Sequence, residues 1–268
     1  MASSTFTAAS GDGYELQMGR WSRRLAEPFI DFCGCSDGET VMDAGCGTGS
    51  LTFALAQRAK DLRIRGVDFS PVYVAHATQL NRNPSIEFRV GDICALPFDN
   101  ASFDRVLSLL VLHFVPDTNR AVSELRRVAR PGATVAAAVW DARGGVVAHR
   151  IFFDTAAALD QKGDEFRARS CTRPMTRPGE LLAAWRTAGF VDIRETMLVI
   201  RMEFGSFDDY WAPHAGKDGP SAAYVATLSP AQQDRLRDLV RKAYLDGDAD
   251  GLRSYAAIAW AVAGTVPV

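Results

Sequence analysis

The chain has 268 residues, of which 47% are hydrophobic and 23% charged, and its net charge of −2 offers no general attraction for a phosphate backbone, so a nucleic-acid partner is disfavoured. The opening MASSTFTAASGDGYE has no basic-then-apolar order of a secretory signal, and the longest strongly apolar run, Val106 to Val115, is about half the roughly 20 residues of a membrane span. Five scattered cysteines argue against a disulfide framework, which together points to a cytoplasmic protein with no membrane partner and one α/β domain over 1–268.

Taken in chain order, Trp21 to Cys33 places Leu25, Phe29, Ile30 and Phe32 near helical spacing, with Pro28 as an irregularity. A short apolar strand over 41–45 then runs into glycines. From there the pattern alternates: helix 49–59, strand 62–68, helix 71–81, strand 86–90, strand 103–110, helix 117–129 and strand 133–140 after the Pro131-Gly132 turn. Alternation of this kind means parallel strands joined by right-handed crossovers, with helices on both faces of an open, doubly wound sheet. Beyond Trp140 a helix is predicted over 147–160, a loop over 161–177, a helix over 178–189 and a strand over 190–201. Residues 206–250 read as an aromatic and helical insertion before a final apolar strand near 254–264.

The strongest local signal is Asp43-Ala44-Gly45-Cys46-Gly47-Thr48-Gly49, directly after one strand and directly before one helix. Glycines at such a crossing let the chain turn sharply and let a ligand lie against main chain. The free N–H groups and partial positive charge of the helix start behind them suit an anionic group. The spacing is G-x-G-x-G: the third glycine of a dinucleotide fingerprint would stand at position 50, which is Ser50. Asp68 ends the second strand, where a carboxylate can accept both hydroxyl protons of a ribose. Asp92 follows the third strand, where it can meet an adenine edge. Either aspartate alone could simply cap a turn; two at successive strand ends beside a glycine loop indicate a nucleoside.

With the segments VMDAGCGTGSL, GVDFS, VGDICALPFDNASFDRVLSLLVLHFV and ELRRVARPGATV in order over 41–140, the chain resembles the class I S-adenosylmethionine-dependent methyltransferases of the quinone-biosynthesis type that act on small molecules. The resemblance implies a Rossmann-like, mostly parallel seven-stranded sheet whose last strand, here 254–264, runs antiparallel. It implies a cofactor-binding core over 38–140, and cap segments over 1–37 and 204–253. The implied cofactor is S-adenosyl-L-methionine, leaving as S-adenosyl-L-homocysteine, with no metal. Gly45, Gly47 and Gly49 would hold its methionine part, with Asp43 and Cys46 also among the cofactor-binding residues, Asp68 the ribose, Phe69 one adenine face, Asp92 and Ile93 the adenine edge, and Leu109, by its backbone, the methionine amino group. An N-terminal helix would cover the site through Tyr14, Arg20 and Trp21, with Tyr14 also within reach of a substrate.

Methyl transfer from a sulfonium needs alignment, exclusion of water and, for an acidic acceptor, a place for a proton. His113, after the fourth strand, is the candidate base; the plain alternative is a ring packed between Leu112 and Phe114. Tyr210, Trp211 and His214 in the inserted segment are candidate substrate residues, though aromatic residues at that spacing equally make core. His76 and His149 lie on helical stretches without a partner pattern and read as surface or boundary residues. Asp246 to Gly251 mimics the opening of a calcium loop, but the twelfth position is Ala257 where a bidentate glutamate is required, so it reads as a charged turn. The leading function is methyl transfer to oxygen, nitrogen or carbon of a small, apolar or aromatic acceptor. A macromolecule methyltransferase is disfavoured by Ser108-Leu109-Leu110-Val111 standing where an Asn-Pro-Pro-Tyr type motif would be. A non-catalytic binder of the same cofactor is the remaining alternative.

Overall fold

The structure, a computed structural model, describes residues 4–6 and 10–268; residues 1–3 and 7–9 of the expected N-terminal cover lie outside them. Seven strands form a single sheet in the order β3-β2-β1-β4-β5-β7-β6, with β1 at Thr40–Ala44, β2 at Arg63–Asp68, β3 at Ile86–Val90, β4 at Phe103–Leu109, β5 at Ala129–Trp140, β6 at Val191–Phe204 and β7 at Arg253–Thr265. Strands β1 to β5 pair in parallel, and β7 runs antiparallel to both of its neighbours. The strand order therefore reverses between β1 and β4, and ligands of such sheets bind in the crevice that this reversal opens at the carboxyl ends.

Period-two alternation along the inner strands divides the core between the two faces. On one side lie Leu107, Ala136 and Ala138, packed with Leu25, Phe29 and Leu55. On the other lie Val106, Val135 and Ala137, packed with Met42, Val67 and Val122. The first face is covered by α2 (Arg20–Cys33), which absorbs Pro28 in its interior, and by α3 (Ser50–Arg58). Helix α4 (Pro71–Leu80) starts on Ser70, whose hydroxyl accepts from the Tyr73 N–H, with Pro71 at the first position where its missing N–H costs nothing. Helix α5 (Thr118–Val128) starts on Asp117, which accepts from the Arg120 N–H.

The chain enters through α1 (Gly11–Tyr14) and a π-helical turn (Glu15–Gly19) before α2. After β5 come α6 (Val147–Leu159), α7 (Gln161–Cys171) and α8 (Glu180–Thr187); between β6 and β7 come α9 (Phe207–Trp211), α10 (Gly219–Val225) and α11 (Pro230–Leu245). Helix α11 opens on a reciprocal cap between Ser229 and Gln232. Among the described residues no helix is long and apolar enough to cross a membrane.

Helix α7 corrects the loop predicted over 161–177. Its sequence, QKGDEFRARSC, offers a single large apolar anchor, Phe166, so periodicity cannot reveal it. Tertiary packing makes the helix instead. Asp160 caps its start by accepting from the Gly163 N–H at 2.8 Å, and Gly163 lies so close to α6 that a Cβ there would stand 1.8 Å from the Ala156 carbonyl oxygen. Phe166 stacks on Tyr224 of α10 with ring centroids 4.8 Å apart.

Candidate functional site at the carboxyl ends of the strands

Leaving β1, the chain turns through Gly45 and Gly47 with φ of +81° and +52°, the region that only glycine enters without strain. The two positions differ in what surrounds them. A Cβ on Gly45 would stand 2.2 Å from a Val111 methyl, whereas one on Gly47 would meet nothing within 4 Å. Gly45 thus permits close packing of the β1 and β4 ends, and Gly47 leaves bare main chain facing open space. Beneath the loop, Asp43 is 1% exposed. Its Oδ2 accepts the Thr52 hydroxyl of α3 at 2.7 Å, while its Oδ1 has no partner among the described residues. Burial raises its pKa to about 7, against the Thr52 hydrogen bond and with the nearby Asp68 charge adding to the rise.

Asp68, at the end of β2, accepts one N–H on each oxygen, from Gly47 at 2.8 Å and from Ser70 at 2.8 Å. Each oxygen keeps a lone pair for a ligand. Burial pushes its pKa up, opposed by those two N–H groups. The next residue, Phe69, is 52% exposed and lines the same cleft; an uncovered aromatic ring at a strand end is a flat apolar surface on which a base can lie. Asp92 accepts from the Cys94 N–H through Oδ1, and Asp92, Ile93 and Leu109 complete that wall.

The N-terminal turn forms another side of the cleft. The Thr48 hydroxyl of the glycine loop donates to Glu15 at 2.6 Å, and Tyr14, Gln17 and Met18 line the cavity. Burial pushes the Tyr14 phenol up to about 12, although its hydrogen bond with Ser22 at 2.9 Å works the other way.

At the β4 end, Leu110 takes φ of +64°, a conformation that costs a branched side chain roughly 1–2 kcal/mol. The turn carries the chain into a short 3₁₀ segment, Leu112–Phe114, and brings His113 to the cavity wall. His113 is 5% exposed, and its Nδ1 has no hydrogen-bond partner among the described residues. Burial, with the Arg173 and His149 charges adding, holds its pKa well below the ordinary histidine value, so the ring is neutral near pH 7. His149 of α6 faces the same cavity rather than the outer surface, its pKa lowered to about 4 by burial and by Arg173. Arg173, in the loop after α7, lies over the Phe114 ring at 4.3 Å from its centroid.

Of the residues singled out from sequence, the cleft brings together Tyr14, Gly45, Gly47, Asp68, Phe69, Asp92, Ile93, Leu109 and His113. The others sit elsewhere. Cys46 is buried behind the loop, its N–H donating to Val67 O at 3.0 Å, and Gly49 serves as the left-handed cap of α3. Trp21 packs edge-on to Phe204 at 5.3 Å with Arg20 stacked over it. Tyr210 donates to Ala148 O at 2.8 Å. His214 stacks on Phe152 at 4.1 Å, and Trp211 lies over Phe207 at 6.0 Å. Tyr210, His214 and Trp211, the last 6.1 Å from the Phe152 ring, pack α9 and the residues after it against α6. Among the described residues no group of three or more His, Cys, Asp or Glu is placed to hold a metal ion. Sequence reasoning missed Gln17, His149, Phe153, Ser170 and Arg173, all on the cavity; none carries a local signal that separates it from its neighbours in the chain.

Comparison with known proteins bears on this geometry. Residues 42–137 match the family model described as a methyltransferase domain. The erythromycin 3''-O-methyltransferase of Saccharopolyspora erythraea is 31% identical over 143 residues, 48% of this chain and 46% of that protein. The 2-methyl-6-phytyl-1,4-hydroquinone methyltransferase of Synechocystis is 36% identical over 107 residues, 40% of this chain and 33% of that protein. The chain thus spans less than half the length of each of these curated relatives. Among solved structures, the fold superposes on Haemonchus contortus phosphoethanolamine N-methyltransferase 2 in complex with S-adenosyl-L-methionine with a TM-score of 0.59 at 17% identity, over 96% of this chain and 57% of that one.

Proposed function

The chain carries a methyltransferase domain over residues 42–137, and from that premise we propose that it binds S-adenosyl-L-methionine at the β1–β4 switch point and transfers the methyl group to a small molecule. The observation that carries this reading is the juxtaposition of bare main chain at Gly47 with the half-satisfied carboxylate of Asp68, whose oxygens each accept one N–H and face the cleft. A diol and a zwitterionic chain side by side fit that pair of features; a dinucleotide loop would require a different glycine spacing. Phe69, Asp92 and Ile93 would flank the adenine, and the strand end at Leu109 would meet the amino acid part. The family resemblance read from sequence agrees with the matches to small-molecule methyltransferases.

When bound, the cofactor supplies a methyl carbon on a cationic sulfur, already activated for displacement. The remaining work belongs to the chain. Tyr14, Gln17 and Met18 exclude water over the cleft, and the cavity walls hold the acceptor in line, the contribution worth most in such reactions. His113 lines that space, and its Nδ1 has no hydrogen-bond partner among the described residues. Kept neutral by burial, it accepts a hydrogen bond from the acceptor's X–H and so orients the attacking lone pair.

Two measurements test this reading. S-adenosyl-L-methionine should stabilise the wild type in a thermal-shift titration and bind Asp68→Ala about a hundredfold more weakly or worse, since two hydrogen bonds to a charged acceptor are lost. Equal affinities in a folded variant would remove the ribose assignment. Methyl-labelled cofactor incubated with separated metabolite, protein and RNA fractions should label the metabolite fraction. Label in protein or RNA instead would shift the acceptor class, and label in none would leave a cofactor-binding protein without transfer activity.

A further inference from the structure

The cavity has a feature that the cofactor does not use. Arg173 lines both the cofactor cleft and a second cavity that continues outward between α7 and α10. It therefore stands where a molecule entering from solvent would pass to reach the strand ends. Several arginines around it pair with carboxylates: Arg150 with Asp154, Arg167 with Asp164 and Arg177 with Glu180. Arg173 has no carboxylate within ion-pair distance and donates no side-chain hydrogen bond among the described residues, and its planar group rests on Phe114. A guanidinium carries five donors in a fixed fork that matches a carboxylate. Desolvation in this cavity even lowers its pKa, to about 10, the cost of a cation held in a largely apolar space without a counter-ion.

The surroundings agree in chemistry. His113, His149, Phe114, Phe153 and Ser170 share the cavity with Arg173, so the space offers flat apolar walls and one fixed cation. Among the described residues no carboxylate pairs with the guanidinium to compete for it.

Resting on the methyl-transfer reading above, we propose that this cavity is the acceptor subsite and that Arg173 selects acceptors that are small aromatic acids, pairing through its fork with the carboxylate while the ring lies against Phe114 and Phe153. Arg173 is thereby a specificity-determining residue, and the loop after α7 belongs to the binding machinery. A neutral aromatic of the same shape leaves the guanidinium unpaired and loses the charge-assisted hydrogen bonds.

The test uses 2-naphthoate and 2-naphthamide, matched in shape and differing in charge, titrated calorimetrically into the full chain with and without saturating S-adenosyl-L-homocysteine. Wild type should bind the acid at least roughly tenfold more tightly than the amide. Arg173→Gln should bring the two to parity, and Arg173→Lys should retain part of the preference. Arg169→Gln, at the outer entrance, should leave the preference intact. Equal binding of acid and amide by wild type, or a preference that survives Arg173→Gln, overturns the proposal. An equal loss in Arg169→Gln also overturns it, because the selection would then be diffuse attraction. The urea midpoint of each variant shows whether it is folded. Failure of S-adenosyl-L-homocysteine to bind wild type refutes the cofactor reading, whereas normal cofactor binding with no acid preference refutes the subsite alone.

Discussion

Two arginines at opposite edges of the sheet show how one residue type divides between holding a fold and reading a ligand. Arg105, near the start of β4, is fully engaged: it meets both oxygens of Glu39 at 2.8 and 2.7 Å and donates to the Cys33 carbonyl at 2.6 Å. The Glu39 carboxylate holds its pKa above the ordinary arginine value even though burial opposes this. Arg173, beyond the carboxyl ends of the strands, has no such partners among the described residues and carries a lowered pKa of about 10 from burial. At the amino edge the Arg105 fork is answered from within the chain, and that cluster is scaffold. At the carboxyl edge the residues of the cleft wall are incompletely answered, as with Arg173, the buried His113 Nδ1 and the spare lone pairs of Asp68, and an unanswered group on a residue that lines a cleft is the mark of a ligand.

The largest effect expected from this contrast is at the amino edge. Glu39→Ala leaves the Arg105 cation buried without its carboxylate, and breaking a buried pair by removing one partner costs about 3–5 kcal/mol. Urea denaturation should show a loss of that order, with the affinity for S-adenosyl-L-methionine per folded molecule unchanged. A loss below about 1 kcal/mol would mean that water replaces Glu39, and the amino edge would then be no more closed than the other.

The same contrast explains what the sequence made legible. The half of the cleft around the glycine loop was readable because its requirements are local: main chain that must turn at Gly45 and lie bare at Gly47, and carboxylates at the end of β2 and two residues past β3, each leave a mark within a few positions. The strands followed from their apolar runs, and the antiparallel β7 from the family resemblance. The acceptor half has no such code. Arg173 is one arginine among many, and nothing in QKGDEFRARSC announces that α7 forms or that the loop after it turns Arg173 toward His113 and His149. Its placement depends on Gly163 nesting against α6 and Phe166 against Tyr224, contacts made across the fold. The aromatic cluster of α9 looked like a pocket wall for the reverse reason: Tyr210, Trp211 and His214 have a strong composition signal, and it is spent on packing against α6 and α11.

A second effect, smaller, separates buried neutral histidines from the rest of the titrating groups. His214 stacks on Phe152 and burial lowers its pKa to about 3, below the ordinary value near 6.5. Between those values the unfolded chain binds a proton that the native chain refuses, so this contribution makes stability rise with pH through the window and fall as the solution is acidified. Asp43, its pKa raised to about 7, works in the opposite sense: its contribution is present below the unfolded carboxylate value and is lost as pH rises toward 7. The two partly cancel in wild type, so the measurement is the difference between wild type and His214→Phe, in which Asp43 drops out. From pH 7 to pH 5 wild type should lose roughly 2 kcal/mol relative to the variant. A difference independent of pH would mean that the ring is already protonated or solvated in the native chain.

The smallest effect on stability discriminates most finely, because it sets two positions of one loop against each other. Both Gly45 and Gly47 have positive φ, so alanine at either carries the left-handed penalty of roughly 1–2 kcal/mol. At Gly45 the new Cβ must also displace Val111, which it would approach to 2.2 Å; overpacking of that kind adds typically 1–3 kcal/mol, and the β4 end must shift to admit it. At Gly47 the Cβ meets no protein atom within 4 Å, so the fold bears only the backbone term, while the methyl projects where the ligand must lie. Gly47→Ala should therefore melt only a few degrees below wild type and yet bind S-adenosyl-L-methionine at least roughly tenfold more weakly. Gly45→Ala should lose more stability per unit of lost affinity. If Gly47→Ala bound the cofactor as tightly as wild type, the open space beside it would not be the cofactor's, and the division of this molecule into an answered edge and an open one would have to be drawn elsewhere than at the glycine loop.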